Sequence, residues 1–248
     1  MSTPVQVVDL RKTFHDEARG EVHAVDGIGF EAKEGEVFGL LGANGAGKTT
    51  TLRMLSTIVL PTSGTASIMG NDVVTEASEV RRNLGFYSAT TALYPRLTAR
   101  ETIEFFASVN HYPSSRLSER VDFLVEQFGL TEYANVRVEK LSSGMKQKVS
   151  IARTLAHDPP VLIFDEPTVG LDVLNALEVQ EAITELKNEG KTILFSTHIM
   201  SEAERLCDRI AIIHGGRILA CDTFEHLREA TGEHYLEDIF VKYVKGQA

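Results

Sequence analysis

Gly42-Ala43-Asn44-Gly45-Ala46-Gly47-Lys48-Thr49-Thr50 follows the apolar run Val37-Phe38-Gly39-Leu40-Leu41 and leads into Thr51-Leu52-Arg53-Met54-Leu55. The order is strand, glycine loop, helix. Gly42 and Gly47 enclose four residues and are followed by Lys48 and Thr49, which fits the phosphate loop G-x-x-x-x-G-K-[ST]. In such a loop the main-chain N–H groups from Asn44, Gly45 and Ala46 through to Thr50, with the helix N-terminus behind them, hold a polyphosphate. Lys48 would neutralise the β- and γ-phosphates, and the Thr49 hydroxyl would hold Mg²⁺. The plainer alternative is a glycine-rich turn that binds nothing. It requires neither the strand before nor the helix after, and both are present.

The composition is that of a globular protein. With 248 residues, 43% of them hydrophobic, the chain can bury a full core in one large domain or two small ones. Its longest apolar stretches, such as 52–60, are too short and interrupted to span a bilayer, and residues 1–10 lack the charged-then-apolar pattern of a signal peptide. A cytosolic protein is expected. Cys207 and Cys221 form no C-x-x-C pair and sit in apolar surroundings, so buried free thiols are expected rather than a metal site or a disulfide. The net charge of -10 argues against a general nucleic-acid binder, though not against a local basic patch.

Upstream of the loop, residues 5–10, 22–32 and 36–41 read as strands, separated by the polar stretch 15–20 and a turn around Glu34-Gly35. They form a small β layer feeding the loop. Downstream, 61–64 is a turn, and 65–69 and 84–88 are short strands. Thr98-Ala99-Arg100-Glu101 is a capping box, and Ile103, Phe105, Phe106 and Val109 give the helix behind it an apolar stripe. A second helix spans 116–128, ended by Gly129, and a third runs from near Ser142 to His157, stopped by Asp158-Pro159-Pro160. From Val161 strands and helices alternate: strand 161–165, helix 173–189, strand 192–196, helix 200–207, strand 209–214. This predicts a parallel sheet covered on both faces. A last strand, 217–221, comes after Gly215-Gly216. The tail from Phe224 places Tyr235, Leu236, Ile239, Phe240, Tyr243 and Val244 on one helical face, read as a core-facing cap.

Val161-Leu162-Ile163-Phe164-Asp165-Glu166 is an apolar strand ending in two acids. A buried parallel strand delivers its C-terminal residues to the sheet edge where ligands bind, so Asp165 can reach Mg²⁺ through water while Glu166 faces the γ-phosphate. Alone, such an ending reads equally as a solvated strand end. Behind a phosphate loop it reads as part of a nucleotide site.

Leu141-Ser142-Ser143-Gly144-Met145 is similar to the signature LSGGQ of ABC ATPases and lies, as in that family, between the phosphate loop and the acidic strand. The stretch 166–172, Glu166-Pro167-Thr168-Val169-Gly170-Leu171-Asp172, looks like the run into the family's D-loop, and Ser196-Thr197-His198 like its switch histidine. The resemblance covers about nine-tenths of the chain, by the span of these motifs. The form LSSGMKQK over 141–148, with Leu236-Glu237-Asp238-Ile239-Phe240 in the tail, most resembles ATPase subunits of type-2 exporters, a group serving sodium, drug and polysaccharide export.

The resemblance implies a P-loop NTPase core of α/β class, a mainly parallel sheet flanked by helices, with an N-terminal antiparallel β layer and an inserted helical subdomain. Its boundaries would be 1–88 and 158–223 for the ATP-binding core, 89–157 for the helical signature subdomain and 224–248 for the C-terminal helical tail. It implies ATP and Mg²⁺ as cofactors and a head-to-tail pair of ATPase chains, a homodimer being expected and a related second chain its alternative, in which Ser142, Ser143 and Gly144 serve the ATP on the other chain's loop. Glu166 would polarise the attacking water, His198 would contact the γ-phosphate, and Thr49 and Asp165 would hold the metal. Phe14, near the end of the first strand, is best placed to stack on adenine; burial in packing is its alternative. An integral membrane permease is the implied partner, holding the chain at the inner face of the cell membrane, with no nucleic acid expected. Its docking segment is 89–100, which carries Leu93, Tyr94, Pro95 and Leu97; the alternative is that the leucines only anchor the loop to its own helices.

Three positions depart from the family pattern. Ser143 and Met145 stand where the signature has Gly and Gln, and Ala89 stands where a Gln or Glu usually touches the metal. Two other functions compete with transport. A soluble ABC protein of translation or DNA repair usually carries two ATPase domains or a long coiled coil, and this chain has one motif set. A non-hydrolytic clamp needs neither Glu166 nor His198.

Overall fold

The computed structural model of the chain describes residues 3–17, 20–88 and 91–246. In order it runs β1 (Val5–Asp16), β2 (Gly20–Ala32), β3 (Val37–Leu41), α1 (Lys48–Leu55), β4 (Ser63–Ile68), β5 (Asn71–Asp72), α2 (Ala77–Asn83), β6 (Leu84–Ser88), α3 (Ala99–Val109), α4 (Leu117–Gln127), α5 (Ser143–Thr154), β7 (Val161–Asp165), α6 (Val173–Asn188), β8 (Thr192–Thr197), α7 (Met200–Leu206), β9 (Arg209–His214), β10 (Arg217–Asp222), α8 (Phe224–Thr231) and α9 (Leu236–Val244). The larger sheet has the order β10-β9-β3-β8-β7-β6, parallel except for β10 at the edge. A smaller antiparallel sheet has the order β2-β1-β4-β5.

The apolar runs form strands because both of their faces are covered. Alternation along β7 and β8 sends Leu162, Phe164, Ile193 and Phe195 into a core shared with α3, α4, α5 and α6. The intervening Val161, Ile163 and Leu194 join Phe38 and Leu40 in a second core with α1 and the smaller sheet. That two-residue period is why these strands read as continuous hydrophobic runs. On β9, Ile210 and Ile212 pack with Leu41, Ala203, Leu227, Leu236 and Ile239, so the tail closes a third cluster.

Helix starts obey local chemistry. Thr98 accepts from the Glu101 N–H while the Glu101 carboxylate accepts from the Thr98 N–H, the reciprocal capping box that opens α3. Asp172 caps α6 through the N–H groups of Leu174 and Asn175, bonds that hold its carboxyl below the usual range.

Several elements differ from expectation. The polar stretch 15–20 does not separate two strands: β1 and β2 pair in a ladder reaching Asp16 opposite Gly20, because a ladder needs only backbone groups and its outer residues can be polar. β4 begins at Ser63, inside the expected turn, and stops before Met69, whose φ is 51°. Helix α2 and strand β5 carry no periodic apolar signal; Val80 is the one buried residue of α2. The α3 stripe divides, with Ile103 buried while Phe105 and Val109 are exposed. α5 ends at Thr154 rather than His157, as the chain turns into Asp158 at φ 57°. The tail is two helices split at Gly232, and Tyr235 stands outside its apolar face. Cys207 and Cys221 are free and half-buried, each thiol pushed up by burial. Among the described residues no helix is long and apolar enough to cross a membrane.

The tail cluster yields a stability prediction. Ile239→Ala removes a fully buried side chain and should cost about 2–5 kcal/mol, whereas Tyr235→Ala at the exposed position should stay within about 0.5 kcal/mol. Urea unfolding of both variants checks this; equal effects would remove α9 from the core.

Candidate functional site

β3, β7 and β8 are in parallel register, with Leu41 beside Thr197 and Asp165 beside Ser196. Their C-terminal ends therefore bring the glycine loop, Glu166 and His198 together at one sheet edge. The loop needs glycine at close backbone approaches. A Cβ on Gly42 would lie 2.4 Å from the Ile213 carbonyl oxygen, and one on Gly47, at φ 109°, 2.5 Å from that of Ala24. Ala24, loop residues 44–50 and Glu166 line a cavity of about 270 Å³. The α1 N-terminus has no side-chain cap and no acid in its first turn, which leaves the electropositive helix end to a ligand anion.

The Lys48 side chain is 3% exposed, and its Nζ lies 2.7 Å from the Gly42 carbonyl, 3.2 Å from that of Ala43 and 3.1 Å from Glu166 Oε1. A buried ammonium persists only with such partners, and phosphate oxygens are of the same kind. Thr49 Oγ1 and Ser196 Oγ donate to Asp165 Oδ1 at 3.0 and 2.8 Å. Burial pushes the Asp165 carboxyl up, and those two hydroxyls partly offset it. A buried carboxylate beside a threonine hydroxyl is a hard-oxygen donor set that fits Mg²⁺.

Glu166 has φ 48°, in the left-handed region. Its N–H donates to Ser196 Oγ at 3.1 Å and to the Ser196 carbonyl at 3.2 Å. The Pro167 carbonyl next to it accepts from Gln147 Nε2 at 2.6 Å. The turn is held on both sides, and it aims the carboxylate at Lys48 Nζ and at His198 Nδ1, 3.3 Å away. Lys48, Thr49, Asp165, Glu166 and His198, read from separate motifs, are thus brought together, with Asn44, Gly45, Ala46, Gly47 and Thr50 lining the cavity and the Gly42 carbonyl accepting from Lys48.

Ser142, Ser143 and Gly144 lie outside this cavity. Ser142 caps α5 by accepting from the Met145 N–H, and Ser142 and Ser143 are exposed. A Cβ on Gly144 would lie 2.8 Å from Asn175 Oδ1, so glycine lets α5 approach the start of α6. Phe14 is 42% exposed with Lys12 Nζ 5.0 Å from its ring centroid; it is not buried in packing, nor does it line the loop cavity. Ala89 lies outside the described residues, and with it the expectation of a missing metal contact.

Sequence reasoning missed Ala24, Ser196 as a side-chain partner, and Gln147. Ala24 comes from β2 by topology alone, with no local signal. Ser196 adjoins Thr197-His198, and a small polar residue ending an apolar strand is a signal that could have marked it. Asp165→Asn tests the electrostatics, since Asn can still accept both hydroxyls at Oδ1. A carboxyl raised on folding stabilises fully below its unfolded pKa and less as pH rises through the folded one. The variant's melting temperature should therefore exceed the parent's at neutral pH in nucleotide-free buffer, and the gap should close on acidification through the carboxylate range. A lower value at neutral pH would contradict the burial argument.

Likeness to known proteins agrees with this geometry. The ABC transporter family model matches residues 25–169, more than half of the chain. ABC transporter ATP-binding protein NatA of Bacillus subtilis is 40% identical over 98% of this chain and 99% of that protein. Bacitracin transport ATP-binding protein BcrA of Bacillus licheniformis is 39% identical over 96% of this chain and 75% of its own length. The solved ATP-binding subunit of an ABC transporter superposes with TM-score 0.87 at 32% identity, covering 98% of this chain and all of that one. The dimeric ATP-binding cassette MJ0796, in a post-hydrolysis state bound to ADP and Pi, gives TM-score 0.79 at 27% identity over 88% of this chain and 98% of that chain. The chain belongs to the ABC transporter family: it is an ATP-binding, ATP-hydrolysing subunit of the kind that serves exporters.

Proposed function

We propose that this chain hydrolyses ATP as one half of a pair of identical copies, with Mg²⁺ held by Thr49 and Asp165, and drives a separate membrane-embedded permease. The observation that carries the reading is the Glu166 carboxylate, at the cavity wall, 3.1 Å from Lys48 Nζ and 3.3 Å from His198 Nδ1. Glu166 orients the attacking water and takes its proton, His198 contacts the γ-phosphate, and Lys48 turns from its loop carbonyls to the β- and γ-phosphates. When held by Thr49 and Asp165, Mg²⁺ would supply charge neutralisation on the phosphates. Phe14 offers its exposed ring to adenine.

Support for pairing comes from the start of α5. Ser142 and Ser143 are exposed and, with Gly144, lie apart from the loop cavity, suited to the γ-phosphate of ATP on a second copy. Val173 and Leu174, exposed at 75% and 74% at the start of α6, suit burial in the same contact. The division of the chain into a core of 1–88 and 158–223, a helical insert of 89–157 and a tail of 224–248 belongs to this proposal.

For the permease, Leu93 packs against its own helices, as the anchoring alternative held, whereas Tyr94 is 52% exposed. Its ring centroid lies 5.6 Å from that of Phe105 and 6.3 Å from that of Phe106. Exposed Val109 and Ile58 extend the patch, Ile58 sharing a cavity wall with Phe106 and Arg153. Such a patch takes an amphipathic cytoplasmic helix of the permease, with the aromatic rings as anchors. The chain then sits at the cytoplasmic face of the membrane through its partner. Relatives are named for Nod factor export and for bacitracin transport, two different cargoes, as suits a cargo path lying in the permease.

Glu166→Gln should keep ATP binding, stop hydrolysis and accumulate an ATP-bound dimer, visible by size-exclusion chromatography with Mg-ATP; a monomer turning over normally would reject the assignment. Lys48→Ala should instead weaken nucleotide binding itself. Tyr94→Ala should leave basal ATPase activity nearly unchanged while lowering co-purification with the permease or transport per ATP. Lost hydrolysis with normal partner binding would place Tyr94 in the ATPase core.

A further inference from the structure

β8 sends alternate side chains to opposite faces. Leu194 and Ser196 lie on the face shared with α1 and the smaller sheet, while Ile193 and Phe195 lie on the face shared with α6. Thr197 continues the second set, and its surroundings are polar. Its Oγ1 donates to Glu202 Oε2 at 2.7 Å and accepts from the Ile199 N–H at 3.0 Å. Glu202 Oε1 in turn accepts from Gln180 Nε2, on α6, at 3.4 Å. Thr197, Glu202 and Gln180 are 3%, 5% and 8% exposed.

We infer that Thr197, Glu202 and Gln180 form a buried hydrogen-bond chain whose task is to position His198 and to tie that position to α6. The Thr197 hydroxyl bridges over residue 198 to the N–H of residue 199, a side-chain-closed turn that fixes how the His198 backbone leaves the strand. The Thr197 carbonyl accepts from the Gly42 N–H at 3.3 Å, so one residue registers both His198 and the start of the phosphate loop. Packing alone does not call for this trio: apolar side chains would fill the space without burying polar groups, whose burial is costly unless each finds a partner. An acid in the first turn of α7 is favourable for the helix dipole, yet both Glu202 oxygens are committed to Thr197 and Gln180. α6 also carries the exposed Val173 and Leu174 at its start, so the chain leads from that helix to the group facing Glu166. Thr197 and Glu202 act through His198 and are positioning residues.

The inference rests on the reading of His198 as a group that touches the γ-phosphate, and a double-mutant cycle on the full chain separates the two. Thr197→Val should lower kcat for Mg-ATP by about tenfold, the scale of one ordinary hydrogen bond, with the Kd for ATP within about twofold. Thr197→Ser, which keeps the hydroxyl, should stay within about twofold of the parent. In a His198→Ala background, single-turnover rates should show that Thr197→Val adds less than about twofold, because residues acting as a unit are not additive. An unchanged kcat for Thr197→Val, or its full loss reappearing without His198, overturns the inference. A His198→Ala protein with parental kcat overturns the site reading as well, and is identified by that single variant. If circular dichroism shows Thr197→Val unfolded, Glu202→Met enters the same cycle with the same expected loss, and Glu202→Gln should be retained; loss in both Glu202 variants, independent of His198, rejects the proposal.

Discussion

One buried hydroxyl joins the parts of this site. Ser196, with no exposed surface, donates to Asp165 and accepts from the N–H of Glu166. It can do so because β7 and β8 pair with Asp165 opposite Ser196. In a strand the side-chain period is two, so a slip of one residue would turn every side chain of β7 to the other face. Asp165 would leave Thr49, and the apolar residues on both sides would lose their cores. Packing of Leu162, Phe164, Val161 and Ile163 therefore sets the position of the acids that come after them.

The same arrangement stores unfavourable energy. Lys48 and Asp165 are ionisable groups taken out of water, and burial pushes the Asp165 carboxyl up. Glu166 holds a left-handed backbone angle that glycine would adopt more readily. Each is tolerated because neighbours compensate: loop carbonyls and Glu166 around Lys48, hydroxyls on Asp165, and hydrogen bonds on both sides of the Glu166 turn. In the proposed reaction, groups held at such cost would be pre-arranged for charge that develops on phosphate rather than for the stability of the free protein.

Most of the sheet was legible in the sequence, because strands buried on both faces are apolar along their middles, as Val161 to Phe164, Ile193 to Phe195 and Ile210 to Ile213 are. The residues proposed to act on the nucleotide were legible because each comes directly after such a strand or a glycine loop. The features that escaped reading depend on partners far along the chain. Ala24 forms a cavity wall only because β2 passes behind Gly47. Gln147 looks like one polar residue among several on α5 until the Pro167 carbonyl is found beside it. The α3 stripe misled because periodicity reports apolar faces without saying what covers them: Ile103 is covered by the core, while Phe105 and Val109 stay exposed on the surface of the chain.

Helix α5 ties the stretch that opens at Ser142 to the turn that holds Glu166. Its first turn carries Gly144, which admits the Asn175 side chain of α6 where a Cβ would crowd it. One turn later Gln147 bonds the carbonyl of the residue after Glu166, and Lys148 pairs with Glu178 of α6 at 2.9 Å. The three contacts lie along one helix, so α5 cannot rotate against the sheet without stretching the bond next to Glu166 or driving its backbone into Asn175. Helices are stiff and packed cores do not deform continuously. A displacement imposed at the exposed end of α5 must therefore be felt at the turn that aims Glu166.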